Sequence, residues 1–163
     1  MKTIFAILLG CVTALGDEVL TKEERIIALT LLGEARGEGK RGIFAVGCVI
    51  QRRSWERKMN PMKVCLEPWQ FGPWNAGGGK IKKESELDHL WKSKHVIYAR
   101  YLARCLNNEN ITLMDITESA NHFYSTDRKK PPYWTFDKET KKPIKPAKKI
   151  GKHLFYKLPR HES

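Results

Sequence analysis

The sequence TKEERIIALTLLGEARGEG, residues 21–39, contains the clearest structural signals in this 163-residue chain. Thr21 followed by Glu24 forms a capping box, which predicts that a helix begins there. The apolar residues from Ile26 to Leu32 cover almost the whole circumference of that helix, so we expect it to be buried. The three glycines within residues 33–39 predict that the helix ends at this point.

Glu34 lies at the predicted end of this helix, on the same face as the aliphatic residues Ile27 and Leu31. A carboxylate in that position is partly desolvated, which raises its pKa, and the negative end of the helix dipole acts in the same direction. General acid catalysis requires a carboxylic acid that stays protonated near neutral pH. Glu34 is therefore the candidate catalytic residue, and the alternative is a solvated carboxylate that pairs with Arg36 or Arg41.

Glu38 is a second carboxylate, beyond the predicted helix end. We favour a structural role, in which Glu38 binds backbone amides of the glycine-rich turn. It could instead be the second carboxylate of a glycosidase, which has to lie roughly 5–9.5 Å from the first. Sequence alone does not give that distance.

The remaining pattern predicts an α+β fold, with a helical body and a small antiparallel hairpin. Apolar residues at 43–50 predict a second helix, and apolar residues that recur at helical spacing over 87–106 predict one long amphipathic helix. Residues 54–83 are rich in proline, glycine and large aromatic residues, so we expect a long, functional loop there. Residues 120–124 and 153–156 are short β-type runs that we expect to pair.

The loop contains Gln70, Phe71 and Trp74, which place an amide beside two aromatic rings. Glycan sites have flat apolar walls and a few polar groups that fix the register of the ligand. We therefore predict that these three residues bind substrate along one wall of a groove, with Glu34 at its floor. The alternative is that the aromatic rings form a hydrophobic plug over the core.

Further aromatic and imidazole side chains lie in or near the two β-type runs. His122 and Tyr124 are predicted to bind substrate on the opposite wall of the groove, together with Trp134. His153 belongs to the second run and is expected to have a structural role. Either histidine could also be a ligand or a proton shuttle.

The charge balance indicates a polyanionic partner. The chain has 30 Lys and Arg against 18 Asp and Glu, a formal net charge of +12. Nine Lys or Arg and three Asp or Glu lie between Asp127 and Lys149. Such a segment is most often a solvated surface, and its functional alternative is attraction to anionic glycans. The composition excludes a collagen-like chain, a knottin and a polytopic membrane protein.

Residues 1–16 have a basic start, an apolar core and small residues near their end, which predicts a secretory signal peptide. We therefore expect an exported protein whose domain spans residues 17–163. Cys11 also lies in a weak lipoprotein motif, which is the less favoured alternative. Of the other cysteines, Cys48 and Cys105 are expected to be buried thiols, and with Cys65 they allow at most one disulfide.

Several of these stretches, taken in order, resemble the SleB/CwlJ-type cell wall hydrolases, the catalytic domains of spore cortex-lytic enzymes and their relatives. The stretches that carry the resemblance are LLGEARGE at 31–38, the apolar helix at 42–52, VC at 64–65, QF at 70–71, ANHFY at 120–124, PYW at 132–134 and IGKHLFY at 150–156. Three features depart from that pattern: no wall-binding repeat is present, residues 69–79 form a Trp- and Gly-rich loop, and a lysine-rich insertion precedes residue 150.

The resemblance implies a lysozyme-like fold and the cleavage of peptidoglycan between N-acetylmuramic acid and N-acetylglucosamine. In a lytic transglycosylase one glutamate is both acid and base, and the resemblance assigns that role to Glu34. We expect Arg36, Glu38 and His153 to have structural or supporting roles. We expect peptidoglycan glycan strands as the partner, without nucleic acid, a membrane span, a metal or a cofactor, and we expect a monomer. Three alternatives remain open: hydrolysis of the same bond, a zinc amidase that uses His122 and His153, and a non-catalytic basic protein that binds the envelope.

Overall fold

The computed structural model describes residues 19–159, which form a helical body and a small sheet. The first helix, α1, spans Lys22–Ala35, and the predicted capping box is confirmed at its start. The N–H of Glu24 donates to Oγ1 of Thr21 at 3.2 Å, and the carboxylate of Glu24 accepts from the N–H of Thr21 at 2.9 Å. The predicted signal peptide and Cys11 lie outside the described residues.

The helix α1 is the centre of the body, as its apolar circumference predicts. Three further helices pack against it: α2 spans Gly39–Arg57, α3 spans Pro61–Leu66 and α4 spans Val96–Asn107. Ile27, Leu29 and Leu31 are fully buried at its middle. Within residues 19–159, none of the helices is both long enough and apolar enough to cross a lipid bilayer.

The first helix ends within residues 33–39, as predicted, although Gly33 is not the residue that ends it. The helix continues through Gly33 and Glu34 to Ala35, and a 3₁₀ turn at Arg36–Glu38 connects it to α2. Gly33 is required for a different reason, because a Cβ at this position would lie 2.2 Å from Cγ of Pro73. The glycine therefore allows another segment to approach α1 closely.

The expected long loop at residues 54–83 contains regular elements. The helix α2 extends to Arg57, and α3 follows. A 3₁₀ turn at Gly72–Trp74 then leads into a two-stranded sheet of β1, Asn75–Gly77, and β2, Lys80–Ile81. The loop prediction is wrong here because proline and glycine begin and end short elements as readily as they fill loops.

The predicted amphipathic helix over residues 87–106 consists of two elements, a 3₁₀ helix at Glu84–Lys92 and then α4. Ser93 separates them in an extended conformation, with ψ of 138°. Leu87 and Leu90 of the first element and Leu102 and Leu106 of α4 are all buried, which explains why their spacing predicts one continuous helix.

The second sheet confirms the predicted strand pairing and adds a third strand. The strands β3, His122–Ser125, β4, Lys148–Ile150, and β5, His153–Tyr156, are antiparallel in the order β3-β5-β4. The β4–β5 hairpin turns at residues 151–152. One face of the sheet packs on a small core around Val49 of α2, through Phe123 and Phe155. The α+β prediction is confirmed.

The three cysteines of the described region are free and buried, which agrees with the expected structural thiols. Burial raises the pKa of the Cys48 thiol to about 11 and that of Cys65 to about 12. Since the thiolate is the reactive form, both side chains are inert near neutral pH.

Candidate active site

Two hydrogen bonds attach the 3₁₀ turn Gly72–Trp74 to one face of α1. The backbone N–H of Gly72 donates to Oε1 of Glu34 at 2.7 Å. One helical turn earlier, the hydroxyl of Thr30 accepts a 2.7 Å hydrogen bond from the indole Nε1 of Trp74. Between these two contacts Pro73 lies against Gly33. The close approach that glycine permits therefore places a backbone donor directly on the carboxyl group of Glu34.

Burial raises the pKa of Glu34 to about 7, while the Gly72 N–H and the charge of Arg53 limit the rise. Arg53 is only 4% exposed. Its Nε donates to the carbonyl of Asn121 at 2.7 Å, and its guanidinium lies 5.1 Å from the ring centroid of Phe71. Near neutral pH the carboxyl group of Glu34 is thus divided between its acid and its base forms.

Glu34 faces an open cleft of about 260 Å³. The cleft is lined by Gly33, Glu34, Arg36, Gly72, Pro73, Lys82, Leu87, His89 and Leu90. Glu34 is the only carboxylate among these lining residues. Arg36 is exposed at the cleft, and in the described residues neither it nor Arg41 forms an ion pair with Glu34. The alternative of a solvated surface ion pair is therefore wrong.

The second carboxylate, Glu38, lies away from this cleft. Its Oε2 accepts a 2.7 Å hydrogen bond from the backbone N–H of Lys152, in the β4–β5 turn. Its side chain lies against Gly42 and Gly151, where a Cβ on either residue would come within 2.3 Å of it. Glu38 therefore binds a backbone amide, but this amide belongs to the β4–β5 turn and not to the glycine-rich turn in which Glu38 itself lies.

The predicted role of Phe71 and Trp74 as a groove wall does not fit the structure. Their side chains are only 1% and 2% exposed, and both belong to the main hydrophobic core. Neither ring presents a face on which a sugar could stack. The rings are buried because the apolar side of the 3₁₀ turn completes the core around α1. Gln70 lies beside them, and its Oε1 accepts a 3.0 Å hydrogen bond from Nη2 of Arg57.

The other predicted binding residues form an aromatic cluster on the sheet. The ring of Trp134 lies 5.1 Å from His122, 6.0 Å from Tyr124 and 5.5 Å from Tyr156, between centroids. His122 and Tyr124 alternate along β3 with Phe123, which faces the core. None of the four cluster residues lines the Glu34 cleft. Their predicted place opposite Glu34, across a groove, therefore stays a prediction.

The two histidines of the sheet do not converge on one point. The ring of His153 lies 5.3 Å from that of Phe123 on the core face, whereas His122 contacts Trp134 on the other face. Burial lowers the pKa of His153. Among residues 19–159, no group of three or more His, Cys, Asp or Glu side chains could hold a metal ion. The amidase alternative requires both imidazoles at one ion, and this arrangement keeps them apart.

Sequence reasoning missed several residues of the site. The apolar residues at 43–50 predict a second helix but do not indicate that α2 continues to Arg57 or that Arg53 is buried. Lys82 and His89 come to the cleft from elements distant in sequence, and no local pattern indicates this. Gly72 contributes only a backbone N–H, which residue identity does not reveal.

Comparison with known proteins agrees with this fold. Residues 37–156, which begin just after Glu34, match the family model described as Cell Wall Hydrolase. The crystal structure of the catalytic domain of the Bacillus cereus SleB protein is similar, with a TM-score of 0.54 and 24% identity over 89% of this chain and 97% of that one. None of the curated proteins matches significantly. Because the family match spans well over half of the sequence, this chain belongs to the cell wall hydrolase family.

Proposed function

We propose that this protein cleaves the glycan strands of peptidoglycan between N-acetylmuramic acid and N-acetylglucosamine, as a lytic transglycosylase. Membership in the cell wall hydrolase family supports the wall as the substrate. The observation that carries the finer proposal is Glu34, an acid with a pKa of about 7 that is fixed by the Gly72 N–H in an open cleft. Because the wall lies outside the cytoplasmic membrane, the protein acts after export, in agreement with the predicted signal peptide.

In the first step the protonated Glu34 donates its proton to the glycosidic oxygen. The bond between C1 of the muramyl sugar and this oxygen breaks, and the N-acetylglucosamine fragment leaves with a new hydroxyl group. The muramyl C1 then carries developing positive charge, which the Glu34 carboxylate stabilises because it is ionised at that moment. General acid assistance of this kind contributes about 10²–10⁴-fold to the rate.

In the second step the Glu34 carboxylate accepts the proton of the muramyl 6-hydroxyl. The oxygen attacks C1 and closes a 1,6-anhydro ring, and Glu34 regains its proton without consuming water. A single carboxyl group performs both steps, which fits a cleft whose lining residues include only one carboxylate. A pKa near neutral suits both roles, because neither form of the group is rare at the working pH.

Mass spectrometry of the digested wall tests this proposal. Purified protein is incubated with insoluble peptidoglycan, and the released muropeptides are analysed. Anhydro-muramyl ends are expected from the wild type, and the Glu34→Gln variant should release fewer than a tenth as many fragments, since an amide of nearly equal volume cannot donate the proton. Reducing muramyl ends would instead establish hydrolysis of the same bond.

Glu34→Asp is a useful companion variant, because it keeps the carboxyl group but withdraws it from the Gly72 N–H by one methylene. If position matters as proposed, this variant also loses most of its activity while its fold is retained. Cleavage that survives in both variants would contradict the role of Glu34. Unchanged wall binding without any cleavage by the wild type would favour the non-catalytic alternative.

The aromatic cluster of His122, Tyr124 and Trp134 remains the proposed contact for more distant sugars of the strand. These three residues are only partly buried, so part of the cluster is accessible to a ligand. The adjoining Tyr133 is 86% exposed. Trp134→Ala should therefore raise KM for long glycan chains more than for short ones, because we expect only long chains to contact both Glu34 and the sheet.

A further inference from the structure

Three basic side chains surround the Glu34 cleft, and each comes from a different element. Arg36 follows α1 directly, Lys82 follows β2, and His89 lies in the 3₁₀ helix Glu84–Lys92. The fold fixes the backbone at two of these residues. The backbone N–H of Lys82 donates to the carbonyl of Trp74 at 2.8 Å, and the leucines on both sides of His89 are buried.

Within the described residues, none of these three basic side chains has a hydrogen-bond or ion-pair partner. Of the three acidic residues of the 3₁₀ helix Glu84–Lys92, two accept hydrogen bonds elsewhere, and the third, Asp88, lines a different pocket. Glu84 accepts from Nε of Arg25 at 2.6 Å, and Glu86 accepts from the N–H of Lys83 at 2.7 Å. The cleft thus has basic groups without matching acids on the protein.

Glu34 does not neutralise this excess. It is the only carboxylate among the lining residues, and with a pKa of about 7 it is half protonated at neutral pH. A catalytic acid that must stay protonated does not benefit from cations beside it, because they favour its ionised form. We therefore expect that these unpaired basic side chains bind an anionic group of the substrate.

We propose that Arg36 and Lys82 bind a carboxylate of the substrate while Glu34 acts on the glycosidic bond. This inference rests on the proposed function and specifies its substrate class as carboxylate-bearing glycan. N-acetylglucosamine is neutral, whereas the lactyl group of N-acetylmuramic acid ends in a carboxyl group. This carboxyl group is either free or joined by an amide bond to a stem peptide, which has carboxylates of its own. The planar guanidinium of Arg36 can bind a carboxylate through two parallel hydrogen bonds, and Lys82 adds a mobile charge.

The two carboxylate sources can be separated with three soluble substrates from one preparation of glycan chains. The first retains its stem peptides. The second has lost them to an amidase, so only the lactyl carboxylates remain. The third has all its carboxylates converted to neutral methylamides. Values of kcat and KM are measured for the wild type, for the double variant Arg36→Gln/Lys82→Gln and for a control.

The control is Arg41→Gln/Lys80→Gln, which removes the same charge from exposed residues that do not line the cleft. The wild type and the control should prefer the carboxylate-bearing chains over the methylamides by about tenfold, the effect of one charge-assisted hydrogen bond. The double variant should lose this preference, mainly through KM, and Arg36→Lys should retain part of it. Preference for the second substrate identifies the lactyl carboxylate as the ligand, and preference for the first alone identifies the stem peptide.

A double variant that keeps the wild-type preference would overturn the inference. So would an equal loss of activity on the charged and the neutral chains, with an unchanged melting temperature. Neither result affects the proposed function, which depends on cleavage by the wild type and its loss in Glu34→Gln. Failure of the wild type to cleave any of the three substrates would instead contradict the proposed function itself.

Discussion

Glu38 joins the start of α2 to the β4–β5 turn by accepting the backbone N–H of Lys152 at 2.7 Å. The turn residue Gly151 has a positive φ of 56°, and a Cβ there would lie 1.9 Å from Oε2 of Glu38. The carboxylate therefore occupies the space that a side chain at residue 151 would need. Helical body and sheet are connected at this point by one hydrogen bond and one close contact.

Removal of this carboxylate should affect stability more than chemistry. Glu38→Ala leaves the N–H of Lys152 without its acceptor and should lower the free energy of unfolding by about 1–2 kcal/mol. Glu38→Gln retains an acceptor oxygen and should lose less. Urea unfolding measures both, alongside the cleavage rate of the folded protein. A stable Glu38→Gln variant that cleaves no glycan would show that Glu38 takes part in the reaction.

Glu34 should make the protein less stable as the pH rises. The unfolded carboxyl group releases its proton near pH 4.5, whereas the folded one retains it until about pH 7. Between these values the native state binds more protons than the unfolded state, so the free energy of unfolding falls with rising pH, by on the order of 3 kcal/mol. Glu34→Gln lacks this effect and should melt several degrees above the wild type at pH 8, and close to it at pH 4.5.

The same titration should appear in the activity of the wild type. Since the free enzyme must carry the proton, kcat/KM should fall above about pH 7 with the loss of a single proton. A melting-temperature difference between Glu34→Gln and the wild type that does not change with pH would contradict a raised pKa. The comparison needs no substrate and therefore tests the electrostatics independently of the proposed reaction.

Trp74 should behave as a core residue that also holds the Gly72–Trp74 turn against α1. Its side chain is 2% exposed and donates to the hydroxyl of Thr30. Trp74→Ala should lower the free energy of unfolding by about 3–5 kcal/mol, as large-to-small replacements in cores do. Trp69→Ala is the matched control, because that indole is 64% exposed. Its effect should stay within about 0.5 kcal/mol. A Trp74→Ala variant with the wild-type melting temperature and no activity would instead indicate that Trp74 lines the groove.

The lysine-rich segment at residues 138–149 should contribute to attachment to the wall. Its six lysines are replaced by Gln, and binding to insoluble peptidoglycan is measured by pull-down at low and high salt. Binding should weaken at low salt only, because exposed charges are screened within about 10 Å at 0.1 M salt. Turnover of short soluble fragments should be unchanged.

The control for this segment replaces six exposed lysines elsewhere, which lowers the net charge equally. Suitable positions are Lys22, Lys58, Lys63, Lys83, Lys92 and Lys94. If the two sextuple variants lose binding to the same extent, the overall charge of the protein attracts the wall. A greater loss in the 138–149 variant assigns the attraction to that segment.

Local sequence was sufficient for the features that depend on neighbouring residues. The capping box at Thr21 and Glu24 involves atoms three residues apart, and the apolar circumference of α1 requires burial wherever the helix packs. Glu34 shares the buried face of that helix with Ile27 and Leu31, so a raised pKa could be predicted, although the sequence left a solvated carboxylate open as the alternative. The pairing of β3 with β5 also follows from their matching β-type runs.

Tertiary structure alone decided whether Phe71 and Trp74 lie in the hydrophobic core or line a groove. Phe71 and Trp74 gain about the same free energy from leaving water whether a core or a sugar covers them. Their sequence therefore cannot distinguish a core residue from a groove wall. The outcome depends on the approach of Pro73 to Gly33, a contact between elements 40 residues apart in sequence. That contact also brings the Gly72 N–H to Glu34. The basic rim of Arg36, Lys82 and His89 arises in the same way, because three distant segments meet only when the chain is folded.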